Sequence, residues 1–423
     1  MKIILVNKFH YIKGGSETYY FGLADGLVKM GHDVHFFSMR DERNFPCDDA
    51  DFFVSPKDYN SPTAFADKAK AAATLIYSQE SKRRFQALCE SVRPDVIHLN
   101  LVHRQITLAI LDAPYIREHR VPVVFTSHDY ILVCPNYVML DGNGTVCDAC
   151  LGGHFLNCFK NKCVKESSAK SLLACMEAEF LKVTDAYSKI DHIIAPSLFM
   201  KSKLIESGIS STKVSFMQNF VSDHVHDCAE DSSDYTDRYN PYILYFGRLS
   251  CEKGVDVLIK ASSVLPEGWR LVIAGDGAER KSLEALSSSS RNRVEFLGYK
   301  AGAELVQLVA GAALSVAPSR WRENMPYSIM ESFAYGTPVI GTTIGGIPEL
   351  VLEGETGFLA EPDDVDSLRQ AITAGVRAFD DRGQYEAIQA KCKSYVIGRC
   401  SQDSYLQHLV SLYRILIESK CDE

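Results

Sequence analysis

Short apolar runs alternate with helical patterns along the chain, and the alternation occurs in both halves. The runs are continuous and rich in β-branched residues, which is typical of strands buried on both faces of a parallel sheet. Those of the first half are Ile3 to Val6, Val34 to Phe37, Val96 to Leu99, Val123 to Phe125 and Ile193 to Ala195. Those of the second half are Ile243 to Phe246, Leu271 to Ala274, Val294 to Leu297, Leu314 to Ala317 and Val339 to Thr342. The pattern predicts an α/β protein with two Rossmann-like, doubly wound domains.

Two helices are predicted from apolar residues at helical spacing. The first spans Ser16 to Met30, with Ser16 as its N-cap and Gly31 as its stop. The second spans Ser401 to Lys420, and its apolar face is predicted to pack on another element through Tyr405, Leu409, Leu412 and Leu416.

The length of the chain points to more than one domain. A chain of 423 residues that is 46% hydrophobic exceeds the roughly 250 to 300 residues at which a single core stops growing. The polar, acidic stretch HVHDCAEDSSDYTDRYN separates the two α/β halves. We therefore predict an N-terminal domain over residues 1–222, a linker over 223–240, a C-terminal domain over 241–396, and a terminal helix within 397–423 that packs on the N-terminal domain.

Charge and composition exclude several classes of protein. The net charge of -9 disfavours nucleic-acid binding. The first apolar run is too short for a signal peptide, and no run approaches the roughly 18 residues needed to span a bilayer. These features predict a cytoplasmic protein whose 13 cysteines are mostly reduced thiols.

Candidate site residues follow the predicted strands directly. They are Gly14-Gly15, His128-Asp129, the pair Arg248 and Lys253, and Glu323. Ligands of doubly wound folds bind at the carboxyl ends of the strands, so these positions favour a shared role. Structural alternatives are a plain turn for the glycines, a core role for His128 and solvated loop charges for Arg248 and Lys253. Glu331, on the helix that follows, could likewise be an ordinary exposed helix residue. The run FGRLSCEKG suits paired cations that grip a diphosphate.

A second carboxylate, Glu331, lies on a largely apolar helix predicted from Pro326 to Gly336. A carboxylate among apolar neighbours needs a hydrogen-bonding partner, and ribose hydroxyls would provide one. The run AGDGAER supplies Gly275 and Gly277 but lacks the third glycine of a dinucleotide fingerprint. No GxxxxGK[ST] motif occurs, so dehydrogenase and P-loop nucleotidase functions are excluded.

Six of the 13 cysteines fall in a segment between residues 134 and 175. The spacing of Cys147, Cys150, Cys158 and Cys163 fits a tetrathiolate site. Three alternatives stay open: cysteines that only pack, a structural zinc ion and an iron–sulfur cluster. Lysines in this segment, together with Lys82, Arg83 and Arg84, form basic surface that suits either solvent or an anionic membrane.

The run PSRWRENMPYSIMESFAYGTPVIGTTIGGIPELVLEGETGFLAEP, with YFGRLSCEKGVDVLIKA before it and a Gly-Gly loop near the N-terminus, resembles the retaining GT-B glycosyltransferases of family four. The resemblance covers nearly the whole chain and includes two glutamates with seven residues between them, Glu323 and Glu331. It implies two domains that face a central cleft. It also implies transfer of a sugar from a UDP- or GDP-sugar to a glycan or lipid-linked acceptor in cell-surface polysaccharide synthesis, at the inner face of the membrane and without a metal at the donor site.

The resemblance also implies a role for each candidate residue. Glu331 would bind the ribose, and Arg248 and Lys253 would hold the diphosphate with the Gly14-Gly15 loop. Glu323 would lie beside the donor sugar, and His128 near its reacting face. The catalytic set is thus His128, Glu323, Arg248 and Lys253. The full donor-binding set is Gly14, Gly15, Arg248, Lys253, Gly275, Glu323, Asn324, Met325, Pro326 and Glu331.

Two other functions are compatible with the same donor site. A sugar-nucleotide epimerase would consume the donor with no acceptor present. A non-catalytic scaffold would bind the donor without turnover. Asp-x-Asp sequences at Asp49 to Asp51 and Asp364 to Asp366 could hold a divalent metal, but such pairs are frequent by chance.

Overall fold

The computed structural model describes residues 1–56, 72–222, 236–237, 239–288 and 293–422. The predicted linker over 223–240 lies mostly outside these residues. The chain forms two compact units. Unit 1 consists of Met1–Met217 with Asp403–Glu423, and unit 2 consists of Gln218–Gln402.

Unit 1 is built on a six-stranded sheet in which every neighbouring pair is parallel. The strand order is β2-β1-β3-β4-β5-β6. The strands are β1 (Lys2–Val6), β2 (Asp33–Phe37), β3 (Val96–Leu99), β4 (Val123–Thr126), β5 (His192–Ala195) and β6 (Val214–Phe216). Four of the five residues of β1 are fully buried, as expected for a strand covered on both faces.

The helices of unit 1 connect and cover these strands. They are α1 (Gly15–Lys29), α2 (Gln79–Val92), α3 (Pro114–Glu118), α4 (Leu156–Lys160), α5 (Ser168–Val183), α6 (Leu198–Glu206) and the C-terminal α14 (Gln402–Asp422). The apolar core of the unit includes side chains of β1, β3, β4 and α2.

Buried hydrogen bonds tie the C-terminal helix α14 to the sheet of unit 1. The hydroxyl of Tyr405 lies 2.7 Å from that of Tyr19 on α1. Tyr413 bonds to Nδ1 of His98 on β3, and Thr126 on β4 bonds to Nε2 of the same histidine. Because all of these side chains are buried, each hydroxyl needs such a partner.

Unit 2 repeats the plan with six parallel strands in the order β12-β11-β10-β7-β8-β9. The strands are β7 (Tyr242–Phe246), β8 (Arg270–Ala274), β9 (Val294–Gly298), β10 (Leu314–Ala317), β11 (Val339–Thr342) and β12 (Gly357–Ala360). The helices are α7 (Val255–Ala261), α8 (Arg280–Ser287), α9 (Gly302–Gly311), α10 (Tyr327–Ala334), α11 (Ile347–Leu350), α12 (Val365–Asp380) and α13 (Arg382–Arg399). The prediction of two doubly wound α/β domains is confirmed.

Several local predictions were wrong. Helix α1 begins at Gly15 with Gly14 as its N-cap, so Ser16 is not the cap. Helix α10 begins at Tyr327, and Pro326 is its N-cap and not its first helical residue. On α14, Tyr405 and Leu409 are buried as predicted. The buried face of the helix continues through Tyr413, however, and Leu412 and Leu416 are only half-buried.

Candidate active site

In the sheet of unit 2, β7 and β10 are neighbours. The chain adds β8 and β9 on the far side of β7 and adds β11 and β12 on the far side of β10, so the strand order reverses between β7 and β10. Loops that follow two such strands open a crevice at the carboxyl edge of the sheet, where doubly wound folds bind ligands. The loop after β7 carries Arg248 and Lys253, and the loop after β10 carries Glu323. Within unit 2, the structure thus brings Lys253, predicted for the diphosphate, into contact with Glu323, predicted for the sugar.

Glu323 and Lys253 form the centre of this site. The ammonium of Lys253 donates to Oε1 of Glu323 over 2.6 Å. The same oxygen accepts from the hydroxyl of Ser319 and from Nε1 of Trp321, each over 2.7 Å. Glu323 is buried, and its side chain is only 9% exposed. Three donors on one oxygen fix the carboxylate, which in turn fixes the lysine.

The same contacts keep Glu323 ionised. Burial alone would raise the pKa of its carboxyl, but the charge of Lys253 and the three hydrogen bonds outweigh burial and hold the pKa below its ordinary value. The site therefore combines a fixed negative charge and a fixed positive charge at one strand end.

Glu331 has the opposite environment. Its side chain is half-buried on α10, and among the described residues it has no hydrogen-bond or ion-pair partner. Burial without compensation raises the pKa of its carboxyl to about 7. An unpartnered carboxyl costs free energy in the free protein, so its retention here suits a ligand that donates hydrogen bonds.

Arg248 is the exposed cation of the site. Its side chain is 64% exposed and lies 3.6 Å from Glu252. The hydroxyl of Tyr245 donates to the carbonyl oxygen of Arg248 over 2.7 Å, which anchors the backbone and leaves the guanidinium outward. An exposed, planar guanidinium on an anchored backbone is suited to donate two hydrogen bonds to a pair of phosphate oxygens.

The glycines of these loops are required by close backbone packing. A Cβ on Gly254, which follows Lys253 and has φ +67, would lie 2.0 Å from the carbonyl oxygen of Pro318. A Cβ on Gly275 would lie 1.9 Å from the carbonyl oxygen of Gly247. Gly275 thus has a packing role whether or not it also contacts a donor.

Residues 324 to 326 connect Glu323 to helix α10. Asn324 and Met325 are buried, and Pro326 caps the helix. The carbonyl oxygen of Glu323 accepts from the amide of Gly346 over 2.7 Å, so the loop after β11 supports this segment.

In unit 1 the predicted glycine pair lies at the beginning of α1. Gly14 is exposed and extended at φ -177, a conformation open to any residue, and a Cβ there would meet only Glu17 at 3.9 Å. Neither backbone conformation nor local packing requires glycine at this position. Gly15 is the first residue of α1, where amide groups face outward and favour an anion.

His128 follows β4 and is held by its neighbours. Its Nε2 donates to Oδ1 of Asn100 over 2.9 Å, and its ring lies edge-on to that of Tyr19 at 4.8 Å. Burial lowers the pKa of the imidazole to about 3, so the ring is neutral at physiological pH. With the proton on Nε2, the other ring nitrogen, Nδ1, can accept a hydrogen bond but not donate one, and the ring does not supply a positive charge.

Further charged residues of unit 1 lie near one another, and Lys8 interacts electrostatically with both Asp129 and Glu17. Glu17 is buried and accepts from Nδ2 of Asn7 over 3.3 Å. Burial raises the pKa of Glu17 and of Asp129 and lowers that of Lys8. Strand-end position had pointed to Asp129, and Lys8 follows β1 as Asp129 follows β4, so the same signal could have identified Lys8.

The cysteine-rich segment of unit 1 is fully described. Cys134, Cys147, Cys150 and Cys163 line one small pocket, and Cys158 packs with Cys150 and Cys175 in an apolar cluster. Among the described residues, no group of three or more His, Cys, Asp or Glu side chains has an arrangement suited to hold a metal ion. None of the roles proposed for the donor site depends on zinc.

The metal content of this segment stays a prediction that elemental analysis can test. If Cys147, Cys150, Cys158 and Cys163 hold zinc, purified protein will carry about one equivalent, and Cys150→Ser will lower stability because metal binding contributes to folding. Cys251→Ser, at an exposed thiol outside the segment, is the control. Metal-free protein that is fully folded would leave packing as the role of these cysteines.

Both Asp-x-Asp sequences have structural roles. Asp364 caps α12 by accepting from the amides of Asp366 and Ser367, each over 2.9 Å. Asp49 accepts from the amide of Phe36 over 2.8 Å and lies 3.0 Å from Nδ1 of His35.

The helices of the described residues were also compared with what a bilayer requires. None of them combines the length and the apolar composition of a membrane-spanning helix.

Family models match both units of the chain. Residues 13–224 match the model described as Glycosyltransferase Family 4, which is just over half of the 423 residues. Residues 240–377 match the model described as Glycosyl transferases group 1. The chain belongs to glycosyltransferase family 4.

Curated relatives of this glycosyltransferase include one that matches along most of its length. An uncharacterized 42.6 kDa protein in the cps region of Klebsiella pneumoniae is 25% identical over 87% of this chain and 92% of its own. An uncharacterized glycosyltransferase of Methanocaldococcus jannaschii is 34% identical, and the alpha-D-kanosaminyltransferase of Streptomyces kanamyceticus is 28% identical. The match spans less than half, 45%, of the length of each of these two.

Solved structures share the fold of the glycosyltransferase. Anabaena HepE, solved with UDP and glucose, has a TM-score of 0.66 at 19% identity, with 97% of this chain and 99% of that chain covered. The sucrose-phosphate synthase of Thermosynechococcus elongatus has a TM-score of 0.69 at 21% identity, with 99% of each chain covered. At these identities the likeness establishes the fold alone, and that fold is GT-B.

Proposed function

We propose that this glycosyltransferase moves a sugar from a nucleotide-diphosphate sugar, with UDP or GDP as the nucleotide, to a glycan or lipid-linked acceptor with retention of anomeric configuration. The observation that carries the proposal is the pair of contrasting carboxylates in unit 2. Glu323 is ionised and saturated by three donors, whereas Glu331 has no partner among the described residues. The first is built into the protein, and the second suits a ligand.

The mechanism follows from the charges that develop when a nucleotide sugar reacts. Negative charge grows on the leaving diphosphate, and fixed cations lower the barrier when they are already in place. The ammonium of Lys253 is held by the carboxylate of Glu323, and the backbone of Arg248 is held by the hydroxyl of Tyr245. Glu331 would accept from the ribose hydroxyls, and the amides of Asn324 and Met325 would face the sugar.

Two groups of unit 1 have proposed roles toward the donor. The amides at the beginning of α1, after Gly14, would face the diphosphate. The neutral His128 would hydrogen-bond the donor sugar near its reacting face. No group is proposed as a covalent nucleophile, and the leaving phosphate would take the proton of the acceptor hydroxyl.

We further propose that no divalent metal is needed at the donor site, because Arg248 and Lys253 would serve the diphosphate. One aspartate of each Asp-x-Asp pair is also engaged elsewhere, Asp364 in a helix cap and Asp49 in a contact with β2. The cps-region relative from Klebsiella supports a role in cell-surface polysaccharide synthesis, and the HepE complexes with UDP and UDP-glucose support the donor class.

A panel of UDP-, GDP- and ADP-sugars tests the proposal. We expect release of nucleoside diphosphate from one or a few of these donors, with faster release when a glycan acceptor is added. Lys260→Ala, at an exposed lysine of unit 2, should release nucleotide at the wild-type rate. Failure of every donor to bind would contradict the proposal.

Donor binding should also depend on pH through Glu331. In the free protein its pKa is about 7, and hydroxyl donors favour the ionised form, so the pKa falls on binding. Binding below pH 7 therefore releases a proton, and affinity should fall about tenfold per pH unit as pH drops below 7. Calorimetry at pH 6 in buffers of different ionisation enthalpy measures this release. The same release from Glu331→Gln would contradict the assignment.

A further inference from the structure

Helices α4 and α5 of unit 1 form a pair whose inner sides pack together. Phe155 and Cys158 pack with Ala174 and Cys175 in a small apolar cluster. Nζ of Lys182, near the end of α5, donates to the carbonyl oxygen of Gly153 over 3.0 Å, just before α4. The inner sides are therefore satisfied, and the other sides of both helices face outward.

The outward sides carry large apolar side chains. On α5, Leu172, Met176 and Val183 are 42%, 51% and 83% exposed, and their spacing of four and seven residues places them on one stripe of the helix. On α4, Leu156 and Phe159 are 58% and 38% exposed. Five such side chains on two packed helices form an apolar patch of the kind that marks an interaction surface.

Exposed lysines outnumber exposed acidic residues along the segment that carries this patch. Between Leu156 and Val183 the chain carries five exposed lysines and three glutamates, and Glu177 is buried against Arg104 with 3.3 Å between Nε and Oε2. Five lysines against the two remaining glutamates leave three positive charges on a chain whose net charge is -9. The lysines are Lys160, Lys162, Lys165, Lys170 and Lys182.

We propose that this α4–α5 face, defined by Leu156, Phe159, Leu172, Met176, Val183 and the five lysines, docks on an anionic bilayer. Apolar side chains that enter the interface and lysines that contact anionic headgroups are the two contributions that bind amphipathic surfaces to membranes. A second copy of the chain would instead bring two positive faces together, which like charge opposes. The inference rests on the proposed function and narrows its acceptor to one held at a membrane surface.

Vesicle sedimentation of the full chain tests the docking. Wild-type protein should bind vesicles of phosphatidylglycerol and phosphatidylcholine, lose binding as salt increases, and bind vesicles of phosphatidylcholine alone weakly. The double variant Leu172→Glu with Met176→Glu should lower the partition coefficient about tenfold or more. The control pair Ile397→Glu with Ile415→Glu changes two side chains that are 69% and 62% exposed on other helices, and it should bind as wild type does.

The docking would be overturned if wild-type protein failed to bind the phosphatidylglycerol vesicles, or if the Leu172→Glu and Met176→Glu variant bound them fully. It would also be overturned if the control pair lost as much binding as that variant. Dimers that this variant abolishes, without vesicle binding by wild type, would show that a second copy covers the face and would also overturn it. Donor binding by calorimetry is a separate readout: its absence in wild type would contradict the proposed function and not the docking.

Discussion

Replacing Lys253 with alanine is expected to lower kcat and donor affinity together, by about a hundredfold or more in kcat. The reason is that its ammonium is fixed by Glu323 before the donor arrives, so it stabilises charge on the leaving diphosphate without reorganising. Nucleotide release from the preferred donor gives kcat, and calorimetry gives the affinity.

The structure adds a cost in stability that the loop position of Lys253 does not suggest. Removal of the lysine takes the cation away from the buried Glu323 carboxylate, which Ser319 and Trp321 still contact, and loss of one partner of a buried ion pair costs about 3 to 5 kcal/mol. The double variant Lys253→Ala with Glu323→Gln removes that charge. It should recover most of the melting temperature but none of the lost kcat, and recovery of both would contradict the catalytic role of Lys253.

Arg248 offers the same test without the stability cost. Because its side chain is 64% exposed, Arg248→Ala should leave the melting temperature unchanged and still reduce kcat and donor affinity by about a hundredfold. Lys260→Ala, at a lysine that is 49% exposed, is the matched control. Wild-type kinetics in Arg248→Ala would remove Arg248 from the diphosphate site.

Replacing Glu331 with alanine is expected to weaken donor binding by about 10-fold to 150-fold for each hydrogen bond lost. This range corresponds to about 1.5 to 3 kcal/mol for a hydrogen bond to a charged group. The free protein should keep or gain stability, because Glu331 has no partner among the described residues and its burial raises its pKa to about 7.

The combination of lower affinity and unchanged stability separates a ligand contact from a structural role. Calorimetry with the donor and a melting curve without it measure the two effects. Glu304→Ala, at a side chain of unit 2 that is 69% exposed, should change neither. Unchanged donor affinity in Glu331→Ala would remove the ribose assignment.

The sequence predicted ten of the strands because each is a short, mainly apolar run between helical patterns. It did not identify β6, which has only the three residues Val214–Phe216, or β12, which begins with Gly357. A Cβ at Gly357 would lie 1.8 Å from the carbonyl oxygen of Val339, so packing against β11 fixes the glycine there and weakens the strand signal.

Strand-end position identified Lys253 and Glu323, and the structure brings them to 2.6 Å. The contacts of Ser319 and Trp321 with Glu323 were not predicted. They depend on the conformation of the loop after β10, which the local sequence does not determine. Asn100 was not predicted either, for a different reason. It follows β3 as His128 follows β4, so the signal was present, but only the paired geometry shows that it holds the histidine.

The anomeric configuration of the sugar released or transferred, followed by proton NMR during the first turnovers in the absence of added magnesium, tests the central claim most directly. The account predicts that the product keeps the configuration of the donor and that the initial rate is the same with and without magnesium. The assay must be brief, so that slow loss of any zinc from the cysteine-rich segment does not affect the rate. An inverted product, or a strict requirement for added magnesium, would contradict the account.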